Sequence, residues 1–83
     1  MKITGERHYV DIEYDNKVAR FTGELCMSGF AAIASSMKWL PPHDTLPVTK
    51  YDRISLMKAA TEELRNKEFK VYFTDEQYKD IEF

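Results

Sequence analysis

The side chains able to make or break bonds are few. His8 and His43 are the only imidazoles in 83 residues, and Cys26 is the only thiol. A Cys26–His43 pair could act as nucleophile and base, but neither residue has a flanking catalytic signature. Cys26 lies between Leu25 and Met27, so it is expected to be a buried structural cysteine. One cysteine forms no internal disulfide, and the chain holds no Cys-x-x-Cys or His-x-x-x-His spacing for a metal. Gly5, Gly23 and Gly29 stand apart from one another, so no glycine-rich phosphate loop is present. Asp11 and Glu13 share a strand face, where carboxylates are ordinarily just solvated. The expectation is a non-enzymatic protein with no cofactor and no metal.

The remaining chemistry is that of contact. Five tyrosines, five phenylalanines and Trp39 are many for this length, and most of them must fill a core. Tyr9 and Tyr72 fall on the polar side of their strands. There they suit a protein–protein surface or simply cover the second face of a sheet. Trp39 is either a binding hot spot or the anchor of its loop. The segment from Thr74 to Phe83 carries Asp75, Glu76, Asp80 and Glu82 against Lys79 alone. Those acids are either solvation or a surface for a basic partner.

The elements that position these residues follow from periodicity. In His8 to Tyr14, Val10, Ile12 and Tyr14 alternate with Asp11 and Glu13, the signature of a half-buried strand. Asp15-Asn16 tolerates the left-handed backbone of a tight hairpin, and Lys17 to Leu25 reads as the returning strand. Ala19, Phe21 and Leu25 are expected to face inward, with Val18, Arg20, Thr22 and Glu24 outward. Phe30 to Ala34 suits a third strand or a short helix. Three prolines between Pro41 and Pro47 make an ordered loop that Trp39 and Leu40 hold down. Thr49 and Asp52 form a capping-box pair, and the spacing of Tyr51, Ile54, Met57, Ala60 or Thr61, and Leu64 predicts a helix from about Lys50 to Asn66. Phe69 to Phe73 returns to period two as a last strand. Thr74 to Gln77 could open a short helix that packs Tyr78 and Ile81. The sum is one α+β domain over residues 1–83: β-β-β-loop-α-β, a single small antiparallel sheet with one helix packed on one face.

Composition narrows the class further. A chain of 9.8 kDa supports one core. Its 12 basic and 14 acidic residues leave a net charge of -2, against the basic stripe of a nucleic-acid binder. No apolar run reaches the roughly 20 residues of a membrane helix, and the first residues lack a signal peptide's apolar segment. A bridge-free small domain fits a reducing compartment, so a cytoplasmic protein is expected, with no membrane or nucleic-acid partner.

Gly23-Glu24-Leu25, followed by Ser35-Ser36-Met37-Lys38-Trp39 and Pro41-Pro42, resembles the immunity protein 74 family of polymorphic-toxin systems. The likeness spans most of residues 7 to 73: a hairpin ending in Gly-Glu-Leu, a Ser-rich stretch into Trp and Pro, one helix, and a final apolar strand. The resemblance implies a bacterial antitoxin of the contact-dependent or a related secretion type, which binds a cognate toxin domain and blocks it. Under it, the partner surface would combine Trp39, His43 and Asp44 of the loop with Glu24, Tyr72, Asp75, Glu76 and Asp80. A homodimer stays open, as do two other readings: an accessory subunit of a larger enzyme and a small RNA-associated protein. The charge balance counts against the last.

Overall fold

The computed structural model describes residues 1–74. The strands are β1 (Ile3–Gly5), β2 (Tyr9–Tyr14), β3 (Lys17–Cys26), β4 (Gly29–Ile33), β5 (Lys38–Trp39) and β6 (Lys70–Thr74), with helix α1 at Lys50–Glu63 and a 3-10 turn at Ala34–Ser36. They form one open six-stranded sheet in the order β1-β2-β3-β4-β6, with β5 also paired to β3. Asp15 and Asn16 at the β2–β3 turn have φ of 54° and 61°, the left-handed pair that a two-residue hairpin requires.

The α+β architecture and the single helix are as expected, but the sheet is mixed rather than wholly antiparallel. β6 lies parallel to β4, with Phe30 opposite Val71 and Ala32 opposite Phe73. The cause is the connection: the loop and α1 carry the chain across one face and return it to the starting end of β4, as any crossover of this length does. β1 and β5 were not expected. Both are very short, β1 with only Ile3 as an inward apolar residue and β5 two residues long, too little for a periodic signal.

β5 exists because β3 is longer than β4. The second half of β3, Gly23 to Cys26, pairs with β4, whereas Ala19 and Arg20 in its first half pair with Trp39 and Lys38. The 3-10 turn bridges the two, and Ser36 fills the gap in the ladder. Its Oγ accepts the Thr22 N–H at 2.9 Å and donates to the Ile33 carbonyl. At Gly23, an added Cβ would sit 1.9 Å from the Ala31 oxygen, so β4 crosses here at a distance only glycine allows.

Val10, Ile12, Ala19, Phe21, Phe30, Ala32, Trp39 and Val71 line one face of the sheet and pack with Leu56, Met57, Ala60 and Leu64. The capping box forms as read: Asp52 N–H donates to Thr49 Oγ1 at 3.0 Å, and Thr49 N–H to Asp52 Oδ2 at 3.2 Å. Tyr51, however, is 80% exposed. Each three-residue step falls about 60° short of a full turn, so three such steps put Tyr51 on the side opposite Ala60. Leu56 takes the place expected of Tyr51. The helix ends three residues earlier than expected, and Lys70 helps to hold its carbonyl end. Lys70 Nζ donates to the Leu64 and Arg65 carbonyls, each at 2.7 Å.

Candidate functional site

Among the described residues α1 covers one face of the sheet and no element covers the other, and alternation decides which side chains that face carries. Residues directly opposed across a ladder share a face. One row therefore runs Thr4, Asp11, Arg20 and Lys38, and another runs Glu24, Ala31 and Tyr72.

The first row is self-satisfied. Arg20 Nε and Nη2 donate to the two Asp11 carboxylate oxygens at 2.8 and 2.9 Å. The guanidinium carbon also stacks 3.7 Å from the Tyr9 ring centroid. Donating to the Asp11 carboxylate raises the Arg20 pKa above its already high ordinary value, so this cation stays charged at every physiological pH. Tyr9 is thereby covered by Arg20, and its ring face is not available as a contact.

The second row is different. Glu24 is exposed, Ala31 keeps the middle of the row low, and Tyr72 is 44% exposed. The Tyr72 and Ser28 hydroxyls lie 2.9 Å apart, which orients the phenol without burying it. Ile33, one row further along, is also exposed. This half of the open face thus presents an aromatic, an aliphatic and one unpaired-looking carboxylate in a shallow surface, the mixture found in protein interfaces.

The structure brings together only part of the expected site. Glu24 and Tyr72 meet across Ala31. Trp39 does not join them: it is 4% exposed on the opposite face, packed in the core, with its Nε1–H donating to the Pro47 carbonyl at 3.3 Å and Lys17 Nζ 5.1 Å from its ring. It is the anchor of its loop. His43 is half-buried and Asp44 exposed in that loop, which starts where the Leu40 N–H bonds the Val18 carbonyl. Val18 is six residues from Glu24 along β3, a separation of about 20 Å, so loop and row occupy opposite ends of the sheet. Asp75, Glu76 and Asp80, and the short helix expected near them, lie outside the described residues. Residues 1–74 carry eleven Lys and Arg and ten Asp and Glu, so the acid excess of the chain lies in 75–83.

Cys26 corrects a further expectation. It is exposed, not buried, because alternation along β3 places it with Glu24 on the face opposite the helix. Among the described residues no group of three or more His, Cys, Asp or Glu could hold a metal ion, and no helix is long and apolar enough to cross a membrane.

Among the described residues, the scaffold is a small α+β domain with one face of its sheet built as a core and the other left uncovered. The chain belongs to the immunity protein 74 family, whose pattern it matches over residues 2–74. Its role is accordingly that of an immunity protein, and the family implies a toxin protein as partner. Among curated proteins and among solved structures, none matches the chain significantly.

Proposed function

We propose that this protein binds and neutralises a cognate bacterial toxin domain by direct protein–protein contact, using the open face at Glu24, Ala31 and Tyr72. The observation that carries the reading is that row: an oriented, part-exposed tyrosine and an exposed carboxylate on the side of the sheet that no element of residues 1–74 covers. Its chemistry suits a toxin surface with a cation facing Glu24 and a flat apolar area facing Tyr72. The acids at 75, 76 and 80, with Asp44, would add long-range attraction to a basic partner rather than close contact. The cytoplasm is the proposed place of action, where an exposed Cys26 would stay reduced.

The experiment is capture of partners by the tagged protein, followed by growth protection against the captured toxin. Tyr72→Ala and Glu24→Lys should each weaken toxin binding by about 5- to 30-fold, the range of an interface hot spot. Charge reversal at Asp44, Asp75, Glu76 and Asp80 should slow association and leave dissociation nearly unchanged. Full protection by the Tyr72→Ala, Glu24→Lys double variant would refute this face, and capture of a housekeeping enzyme instead of a toxin would favour the accessory-subunit reading.

A further inference from the structure

The two hairpins of the sheet are built from opposite chemistries. The β2–β3 turn is Asp15-Asn16, polar as a solvent-facing turn should be, whereas the β3–β4 end exposes Leu25, Cys26 and Met27 in succession. Leu25 is 52% exposed and Met27 fully so. Three consecutive exposed apolar residues lower solubility and contribute nothing to the core, so their place in a folded chain calls for a use. Leu25 lies on the inward face of β3, in one row with the buried Phe30 and Val71, yet it is itself left uncovered.

These residues wall a shallow groove of about 400 Å³ whose other side is Phe69 and whose rim carries Glu68. Its floor is backbone at Gly29, where an added Cβ would stand 1.8 Å from the Lys70 oxygen. On its far side the Phe69 ring rests against Gly5, 2.8 Å from where a Cβ would be. A shallow groove flanked by Leu25, Phe69 and a flexible methionine offers contact area to an apolar side chain. It also adjoins the open face, since Ser28 of the same turn orients Tyr72.

We propose that this groove is the anchor pocket of the toxin interface, and that it takes an apolar side chain of the toxin domain flanked by a lysine or arginine. The cation meets Glu68, which lines the groove. The proposal rests on the toxin-binding reading above and assigns it a second, contiguous contact of defined chemistry.

The test uses the full chain and the toxin domain that the wild-type protein captures, purified in an inactive form. Met27→Asp and Leu25→Asp should each weaken binding by about 10- to 30-fold, mostly through faster dissociation, and Glu68→Lys should lower the association rate at low salt. Tyr51→Ser, an equally exposed apolar change on α1, should leave affinity unaltered. Because Met27 is outside the core, its variant keeps the wild-type melting temperature, which excludes unfolding as the cause. Wild-type affinity in Met27→Asp and Leu25→Asp would overturn the pocket while leaving toxin binding intact; a wild-type chain that captures no toxin overturns both. Sedimentation showing a concentration-dependent dimer that Met27→Asp abolishes would assign the groove to a second copy, and crosslinking of position 27 to residues 75–83 would assign it to the chain's own C-terminal segment. Either result overturns the proposal.

Discussion

Replacing Gly23 by alanine should be among the most damaging one-methyl changes in this protein. The new Cβ would come within 1.9 Å of the Ala31 oxygen and 3.0 Å of both the Ala31 carbonyl carbon and Phe30 Cε1. That is about 1.5 Å inside ordinary van der Waals contact, and the atom it meets is backbone, which has no rotamer to escape into. Relief requires β4 to move away from β3 at the Gly23–Ala32 step, which loosens the ladder and shifts Phe30, one of the largest fully buried side chains. Overpacking of this kind with one weakened ladder hydrogen bond costs about 3 kcal/mol. A domain of this size has roughly 4–12 kcal/mol in all. At about 4–8 °C per kcal/mol, the melting temperature should fall by about 12–24 °C. Thermal unfolding followed by far-UV circular dichroism measures it, with Gly5→Ala as the comparison. There the obstacle is the edge of the Phe69 ring, which can tilt, and the loss should stay below about 1.5 kcal/mol. A Gly23→Ala protein melting within about 3 °C of wild type, or no lower than Gly5→Ala, would refute the reasoning.

Ser36→Ala removes the hydroxyl that spans the break between β4 and β5 and should cost about 1 kcal/mol in urea titration, with Ser36→Thr costing less. Lys70→Met strips two carbonyl contacts from the end of α1; about 1–2 kcal/mol of stability should go, and amide exchange should rise first around Leu64 and Arg65. Trp39→Ala should cost about 3–5 kcal/mol, whereas Trp39→Phe keeps the core filled and should bind toxin with wild-type affinity if the indole is an anchor rather than a contact.

How far the sequence could be read depended on how many residues shared a signal. The β2–β3 hairpin was legible because its alternating residues and the Asp15-Asn16 turn agree, and the start of α1 because Thr49 and Asp52 satisfy each other's backbone. The direction of β6 was not legible, since a strand's own pattern is the same whether its neighbour runs with it or against it. β5 owes its existence to the length of a different strand. For the site, Glu24 and Tyr72 were placed correctly on the outer side, but nothing local in either segment tells that β4 and β6 are neighbours. Leu25 and Cys26 read as buried because hydrophobicity records what a residue prefers, whereas burial depends on what the fold lays over it.

Several of the residues on which the family resemblance rests do structural work. Gly23 permits the close crossing of β4, Ser36 bridges the ladder, and Trp39 fills the core and ties down the proline loop. A family recognised by such residues is recognised by its scaffold. An immunity protein must nonetheless discriminate its own toxin from others, and discrimination is a difference in affinity that scaffold residues buried in the core cannot supply. In the proposed interface it resides in exposed side chains outside the core: Glu24 within the motif but pointing outward, Tyr72 two strands away, Leu25 and Met27 at the end of the β3–β4 hairpin, and Glu68 of the groove. Exchanging these five alone between this chain and another member of the family should therefore transfer toxin preference while the melting temperature stays nearly constant. If preference instead followed Trp39, His43 and Asp44 when that loop is exchanged, the contact surface would lie at the other end of β3.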